Sequence, residues 1–119
     1  MNPILHIAGR RQWERAKKVG VYTGDTLGVE GFIHASAPHQ VLKVAERFFR
    51  DRKGLVLLVI DPEKVRPEIR YEAAGDGDEY PHIYGPLNVD AVLRALKFEP
   101  GEDGTFALPM DIIDIADRG

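Results

Sequence analysis

The sequence contains no cysteine among its 119 residues. This absence excludes disulfide bonds, thiolate metal sites and thiol nucleophiles together. The sequence also has no apolar stretch of membrane-spanning length, and residues 1–11 lack the apolar run of a signal peptide. We therefore expect a cytoplasmic protein that does not enter a membrane.

An excess of positive charge is missing as well. The formal net charge is −3, which argues against a general nucleic-acid binder. Basic residues nevertheless crowd positions 10–18, and acidic residues crowd positions 99–117. We interpret these segments as two solvated faces. The alternative is that the basic segment attracts an anionic ligand.

Several familiar catalytic motifs are absent from the sequence. It has no glycine-rich dinucleotide turn, no phosphate-binding loop, no zinc-binding helix motif and no serine elbow. These absences exclude the enzyme classes that depend on such motifs. Sites without a sequence motif remain open.

What the sequence does contain is typical of one small globular protein. Its length and near-average apolar and charged fractions predict one domain with its own core. Strand-like and helix-like segments are mixed without regular βαβ alternation, which favours an α+β fold. We expect this domain to cover residues 1–109, followed by a C-terminal tail at residues 110–119 whose conformation the pattern does not determine.

Apolar and alternating segments predict the strands. Residues 55–60 are continuously apolar, as is typical of a central strand buried on both faces. Pro67 indicates that the strand around it lies at a sheet edge or begins later. Phe98 and residues 105–108 could be closing strands. The main predicted strands are residues 4–7, 32–36, 55–60, 65–71 and 80–86.

Three helices are predicted from apolar periodicity and helix-forming residues. The first covers residues 10–18. Residues 37–51 carry the clearest apolar stripe, and Ser36 is placed to cap that helix. Asn88 would cap a final helix that continues through Leu96. Loop-like composition marks residues 20–30 and 75–78.

Strand geometry groups several polar and aromatic residues. Residues two apart on a strand share a face, which places Phe32, His34 and Ser36 together and His82 with Tyr84. A histidine can donate or accept a hydrogen bond and move a proton near neutral pH. We predict that these side chains line one small-molecule pocket.

His6 and Arg70 complete the set of candidate site residues. His6 lies in the first predicted strand, and Arg70 shares a strand face with Glu72. Each candidate also has a purely structural interpretation. A lone strand histidine is more often structural, Ser36 could serve only as a helix cap, and Arg70 with Glu72 could form a solvated strand face.

Two longer motifs together resemble a small bacterial family of unknown function. They are EGFIHAS at residues 30–36 and YPHIYGPL at residues 80–87, with Gln40 between them. Similar residues occur around Trp13 and at residues 58–61. The resemblance extends through Pro109 and so covers nearly the whole chain.

The resemblance implies a fold like that of ADP-ribosyltransferases and tRNA 2′-phosphotransferases, with two small, mostly antiparallel sheets around a cleft and two or three helices. Such enzymes bind NAD or an ADP-ribosylated intermediate. His6 matches their strand histidine, which holds a ribose hydroxyl. His34 and Ser36 fall where the superfamily lines the nicotinamide side, although a histidine replaces the usual tyrosine. The late catalytic glutamate has no counterpart in a motif, and Glu72 and Glu79 are the nearest candidates.

The leading hypothesis is therefore a cleft that binds NAD or a related nucleotide. His34 and His82 would act as general acid or base. The remaining candidates would hold the ligand: His6 at a ribose, Phe32 or Tyr84 stacked on a base, Ser36 nearby, and Arg70 at a phosphate.

Two alternatives stay open at this point. The chain could be a non-catalytic sensing or interaction domain that keeps the fold without the chemistry. It could also be a metal enzyme in which His6, His34 and His82 supply three nitrogen ligands. The sequence does not determine the substrate, the reaction or the oligomeric state.

Overall fold

The computed structural model describes residues 2–110 and 112 of the chain. Within them lie eight strands and three helices, which confirms the α+β class. No helix in this part of the chain is long and apolar enough to cross a membrane. In chain order the elements are β1 (Ile4–Gly9), α1 (Arg10–Val19), β2 (Val21–Tyr22), α2 (Leu27–Glu30), β3 (Ile33–His34), α3 (Val41–Phe48), β4 (Leu55–Ile60), β5 (Glu68–Ala73), β6 (Glu79–Tyr84), β7 (Leu87–Asn88) and β8 (Val92–Phe98).

The strands form three antiparallel sheets. Their orders are β1-β4-β8, β2-β7 and β3-β6-β5. The expectation of small, mostly antiparallel sheets is therefore correct, but a two-stranded ribbon accompanies the two larger sheets. β5 lies at an edge and begins after Pro67, as the proline indicated.

β4 separates the apolar core into two halves. It is the middle strand of its sheet, and all of its residues are buried. Alternate side chains enter two different clusters, so both faces of the strand are covered and the apolar run is unbroken, as predicted. Val56, Leu58 and Ile60 pack with α1 and the β3-β6 sheet, whereas Leu55, Leu57 and Val59 pack with α3.

A backbone bridge joins β1 to the chain just after β3. The N–H of Leu5 donates to the carbonyl of Ser36 at 2.7 Å, and the N–H of Ser36 donates to the carbonyl of Leu5 at 2.8 Å. This pair of bonds connects the main sheet to the β3-β6-β5 sheet. Because His6 follows Leu5, the bridge also sets the position of His6 beside β3.

The helix predicted over residues 37–51 is shorter than expected. It begins at Val41 with Gln40 as the N-cap residue, and Ser36 caps no helix because its backbone is bridged to Leu5. The Gln40 side chain accepts from the N–H of Ala37 at 2.9 Å and donates to the Glu79 carbonyl at 2.8 Å. These bonds hold residues 37–40 as a turn tied to β6.

The segment at residues 20–30 is not only a loop. It contains β2 and the single turn α2, followed by Gly31 with a left-handed φ of 88°. Both elements are short, and among the described strands β2 pairs only with β7. Because glycines flank both elements, the composition of the segment predicted a loop.

The helix predicted from Asn88 is wrong. The chain there forms β7, a 3₁₀ turn at Val89–Ala91 and then β8, which pairs along β4. The apolar spacing suited a helix, but pairing with the open side of a fully buried strand outweighs that local preference. The Asn88 side chain caps no helix and instead accepts from the Arg66 N–H at 2.9 Å.

The end of the chain is only partly as expected. Phe98 is the last residue of β8, whereas residues 105–108 form no strand. The Phe106 ring instead stacks on the Phe98 ring, with centroids 4.6 Å apart. Ile112 is buried in the α3 half of the core. Within the predicted tail, residues 111 and 113–119 lie outside the described residues.

Leu57→Ala and Leu58→Ala should each lower the free energy of unfolding by about 2–5 kcal/mol, because both side chains are fully buried and their removal leaves a cavity. Urea denaturation measures the change. Leu93→Ala on β8, where the side chain is 39% exposed, is the matched control and should cost much less. Urea midpoints that hardly move in both β4 variants would show that the strand is not central to stability.

Candidate functional site

A cleft of about 720 Å³ lies among β1, β3, α3 and the β5–β6 hairpin. Its volume falls within the range typical of small-molecule sites. Of the residues predicted to form a pocket, five line it: His6, Phe32, His34, Ser36 and His82. Arg70 and Tyr84 are not among the lining residues.

Strand register explains why the histidines lie together. His34 pairs with His82 across β3 and β6, and His82 pairs with Arg70 across β6 and β5. Directly paired residues share a sheet face, so these side chains form one polar row. The neighbouring row points to the opposite face and packs in the core; its members are Ile33, Ile83 and Ile69.

Aromatic rings hold His82 in place. The Phe32 ring lies 4.1 Å from the His82 ring, centroid to centroid, with an interplanar angle of 16°. The His34 ring meets the His82 ring edge-on at 5.3 Å, and Tyr84 lies 5.3 Å from Phe32. The four rings form one cluster, which we call the histidine wall. His82 is only 7% exposed within it.

Glu72 orients the His82 ring. Its carboxylate accepts a hydrogen bond from Nδ1–H of His82 at 2.9 Å and another from the Tyr84 hydroxyl. The Tyr84 bond, and then the His82 bond, lowers the pKa of Glu72, so this carboxyl is ionised at neutral pH. Sequence reasoning named Glu72 as a neighbour of Arg70 and as one of two nearest candidates for the late glutamate. It did not find the contact with His82, because that contact depends on the β5–β6 register.

The second nitrogen of His82 is available. With the hydrogen on Nδ1, the neutral ring carries a lone pair on Nε2. Among the described residues no group bonds this nitrogen, and it is not completely buried. A carboxylate-oriented imidazole with a free Nε2 can accept a proton from a hydroxyl group or water in the cleft.

His34 also has a carboxylate partner. Its Nε2 lies 3.0 Å from Oε2 of Glu30, on the short helix α2. Both side chains are about half exposed. The histidine wall therefore carries two imidazoles, each with its own carboxylate, at different degrees of burial.

His6 is fully engaged within the protein. Its Nδ1–H donates to the carbonyl of His34, and its Nε2 accepts from the Tyr22 hydroxyl at 2.8 Å. Burial lowers the pKa of His6 to about 4, so the ring is neutral at pH 7. The ribose contact implied for His6 needs a free ring nitrogen, and both are in use. Tyr22, which sequence reasoning missed as a site residue, lines the cleft together with His6.

Arg70 and Tyr84 lie on the same sheet face but contact each other. The Arg70 guanidinium lies 4.4 Å from the centroid of the Tyr84 ring and 2.8 Å from the carboxylate of Glu68. Neither residue lines the cleft, so Arg70, which we expected at a phosphate, lies outside it. Ser36 does line the cleft and is buried, with its backbone bridged to β1.

Basic residues near α3 form a part of the cleft that sequence reasoning missed. We call Lys43, Arg47, Phe48 and Arg52 the α3 wall; all four line the cleft. Lys43 and Arg47 are one helical turn apart, so their spacing already places them on one helix face. They escaped notice because their helix was assessed only for its apolar stripe.

The histidines do not form a metal site in the part of the chain that is described. Within it, no group of three or more His, Cys, Asp or Glu side chains is arranged to hold a metal ion. Both nitrogens of His6 are also occupied. The three-histidine metal enzyme therefore lacks its proposed ligand set.

Fold and site together define a small α+β protein whose cleft carries paired histidines. The chain matches the profile of the family described as Protein of unknown function (DUF952) over residues 7–95, and it belongs to that family. This confirms the family predicted from the two sequence motifs, both of which lie in the matched region. No curated protein matches the chain.

Solved structures of one bacterial protein are similar to this chain. The crystal structure of protein CC0527 from Caulobacter crescentus shares 32% sequence identity with a TM-score of 0.85, and the match covers 93% of this chain and 98% of that chain. The solution NMR structure of CC0527 shares 35% identity with a TM-score of 0.77, covering 88% of this chain and 91% of that chain.

His6 should make stability depend on pH. Its folded pKa of about 4 lies below the ordinary value of 6.5. Between these values the unfolded chain binds a proton that the folded protein does not, so the free energy of unfolding falls as pH falls from 6.5 toward 4. Relative to His6→Gln, the wild type should lose about 1.4 kcal/mol per pH unit in this window. Urea denaturation of both proteins at pH 7 and pH 5 measures the difference, and parallel pH slopes would contradict it.

Proposed function

We propose that the cleft binds a nucleotide-type ligand, NAD or a relative of it, and that His82 is its acid–base group. One observation carries the proposal: Glu72 and Phe32 fix the His82 ring while its Nε2 has no bonding partner among the described residues. A structural histidine has no need of an unbonded nitrogen at a cleft. A catalytic or ligand-reading histidine does.

The proposed fold is ADP-ribosyltransferase-like, as the sequence resemblance implies. The small antiparallel sheets, the three helices and a cleft beside β1 support this assignment. Under it, His6 would act on a ribose through Tyr22. The Tyr22 hydroxyl donates to His6 at 2.8 Å, which leaves its oxygen able to accept a hydrogen bond from a ribose hydroxyl.

The ligand's base would lie against Phe32. This ring lines the cleft, whereas Tyr84 does not, so Phe32 is the better of the two stacking candidates. Offset stacking on an aromatic ring suits any flat base and does not select one. Ser36 would lie nearby on the cleft surface.

The proposed reaction is transfer of the ADP-ribosyl group. The bond between C1′ of the ribose and nicotinamide breaks, and nicotinamide leaves with the bonding electrons. An acceptor hydroxyl or water bonds to C1′ and loses its proton to Nε2 of His82. The Glu72 carboxylate stabilises the resulting imidazolium, and His34 with Glu30 provides a second acid–base pair.

A non-catalytic sensing domain is the second candidate. The observation that favours it is the engagement of both His6 nitrogens, because the ribose contact of the transferases is then indirect. Release of nicotinamide from NAD separates the two candidates. Glu72→Gln should slow that release in an enzyme while leaving NAD binding nearly unchanged, and a sensor should release none.

The histidine variants test the site itself. A thermal-shift panel of NAD, ADP-ribose, nucleotides and simple metabolites should contain at least one compound that stabilises the wild type, with a shift that grows with the logarithm of its concentration. His82→Ala and His34→Ala should both lose this effect. His34→Ala should unfold within a few degrees of wild type because His34 is half exposed, and His82→Ala should cost more because His82 is 7% exposed and stacked on Phe32. His39→Ala, at an exposed position outside the cleft, is the matched control.

Two results would count against the proposal. If the cleft variants unfold far below the wild type without ligand, the histidines are structural. If the ligands stabilise His82→Ala as well as they stabilise His39→Ala, the binding site lies elsewhere.

A further inference from the structure

The charges along the α3 wall differ in how they are neutralised. Lys43 Nζ lies 2.9 Å from the Asp78 carboxylate and 3.3 Å from that of Asp76, so its charge is already balanced. This cluster ties α3 to the loop between β5 and β6. Lys43 therefore has a structural role, and a ligand would have to displace two carboxylates to bind its ammonium group.

Arg47 and Arg52 carry charges that no carboxylate balances. Within residues 2–110 and 112, neither forms an ion pair, and each guanidinium lies 5.2 Å from the centroid of a neighbouring ring, Phe48 for Arg47 and Phe49 for Arg52. A guanidinium placed over a ring keeps its N–H edge free. That edge matches the paired oxygens of a phosphate.

The rest of the cleft carries the opposite sign. Asp25 and Glu30 line it near the histidine wall, and the Gln12 amide donates to Asp25 at 2.6 Å. A ligand with negative charge throughout would be repelled there. A ligand with a phosphate at one end and hydroxyl groups with a neutral or cationic base at the other would match both regions.

Phe48 adds an apolar surface beside the free arginines. Its side chain is 64% exposed although it lines the cleft. An exposed aromatic ring next to an unpaired guanidinium suits a ligand that carries an organic group on its phosphate. Free inorganic phosphate would leave this ring uncovered.

We propose that Arg47 and Arg52 form a phosphate subsite, so that the cleft selects phosphorylated nucleosides over nucleosides. This inference rests on the proposed nucleotide function and names the ligand class more closely. It assigns the phosphate contact to Arg47 in the last turn of α3 and Arg52 just beyond that helix, in place of Arg70 on β5. The sugar and base then extend toward His82.

Calorimetric titration with two matched pairs tests the subsite: AMP with adenosine, and nicotinamide mononucleotide with its nucleoside. The wild type should bind at least one nucleotide about tenfold or more tightly than its nucleoside. Arg47→Gln and Arg52→Gln should each remove most of that difference and leave nucleoside affinity unchanged. Added salt should weaken nucleotide binding in the wild type more than in either variant.

Arg50→Gln is the matched control, because Arg50 sits just beyond the same helix, pairs with Glu46 and does not line the cleft. Equal loss of nucleotide affinity in Arg50→Gln would overturn the subsite, since it would reduce the effect to general surface charge. Arg47→Lys keeps the charge and should retain part of the nucleotide preference. Thermal unfolding of each variant establishes that it is folded.

The subsite and the proposed function fail in different ways. If the wild type binds nucleosides and nucleotides equally, the subsite is wrong and the nucleotide function stands. If inorganic pyrophosphate binds through Arg47 and Arg52 but no nucleoside or nucleotide binds at the cleft, the phosphate contact is right and the nucleotide function is wrong. If none of these probes binds, both are wrong.

Discussion

Two hydrogen bonds between Leu5 and Ser36 connect the parts from which the cleft is built. Without them, β1 would belong only to the main sheet, and β3 only to its own. With them, His6 lies against the carbonyl of His34, and Ser36 becomes part of the cleft surface. The neutral His6 ring then bridges to Tyr22 on the two-stranded ribbon, so three sheets meet at one half-buried side chain. The site therefore depends on a backbone contact that cannot be predicted from the identity of the residues that form it.

Period-two alternation made much of the site predictable. In β3 and β6, an isoleucine in the core neighbours a polar residue on the cleft side, as with Ile33 and His34 or Ile83 and His82. The continuous apolar run of β4 was equally clear. The helix expected after Asn88 failed because its apolar spacing suited both a helix and an edge strand, and only the neighbouring β4 decides between them. Register, in turn, decides which carboxylate reaches His82.

Charges of opposite sign lie in different parts of the cleft. Carboxylates lie beside the imidazoles of His82 and His34 and fix the orientation of both rings. Two arginines of the α3 wall have no carboxylate partner among the described residues, whereas Lys43 forms an ion pair that connects α3 to the β5–β6 loop. A cleft with this charge distribution favours a ligand that is negatively charged at one end and neutral or positively charged at the other. The same feature explains why the mild net charge of the chain says little about what it binds.

A crystal structure of the protein soaked with NAD and with ADP-ribose tests the central claim most directly. The account predicts ligand density in the cleft, with a ligand hydroxyl or bound water within hydrogen-bond distance of Nε2 of His82, the base against Phe32 and a phosphate at Arg47 or Arg52. The His82–Glu72 bond should persist in that complex. Ligand bound elsewhere, or Nε2 of His82 bonded to a protein group while the cleft stays empty at saturating ligand, would contradict the account.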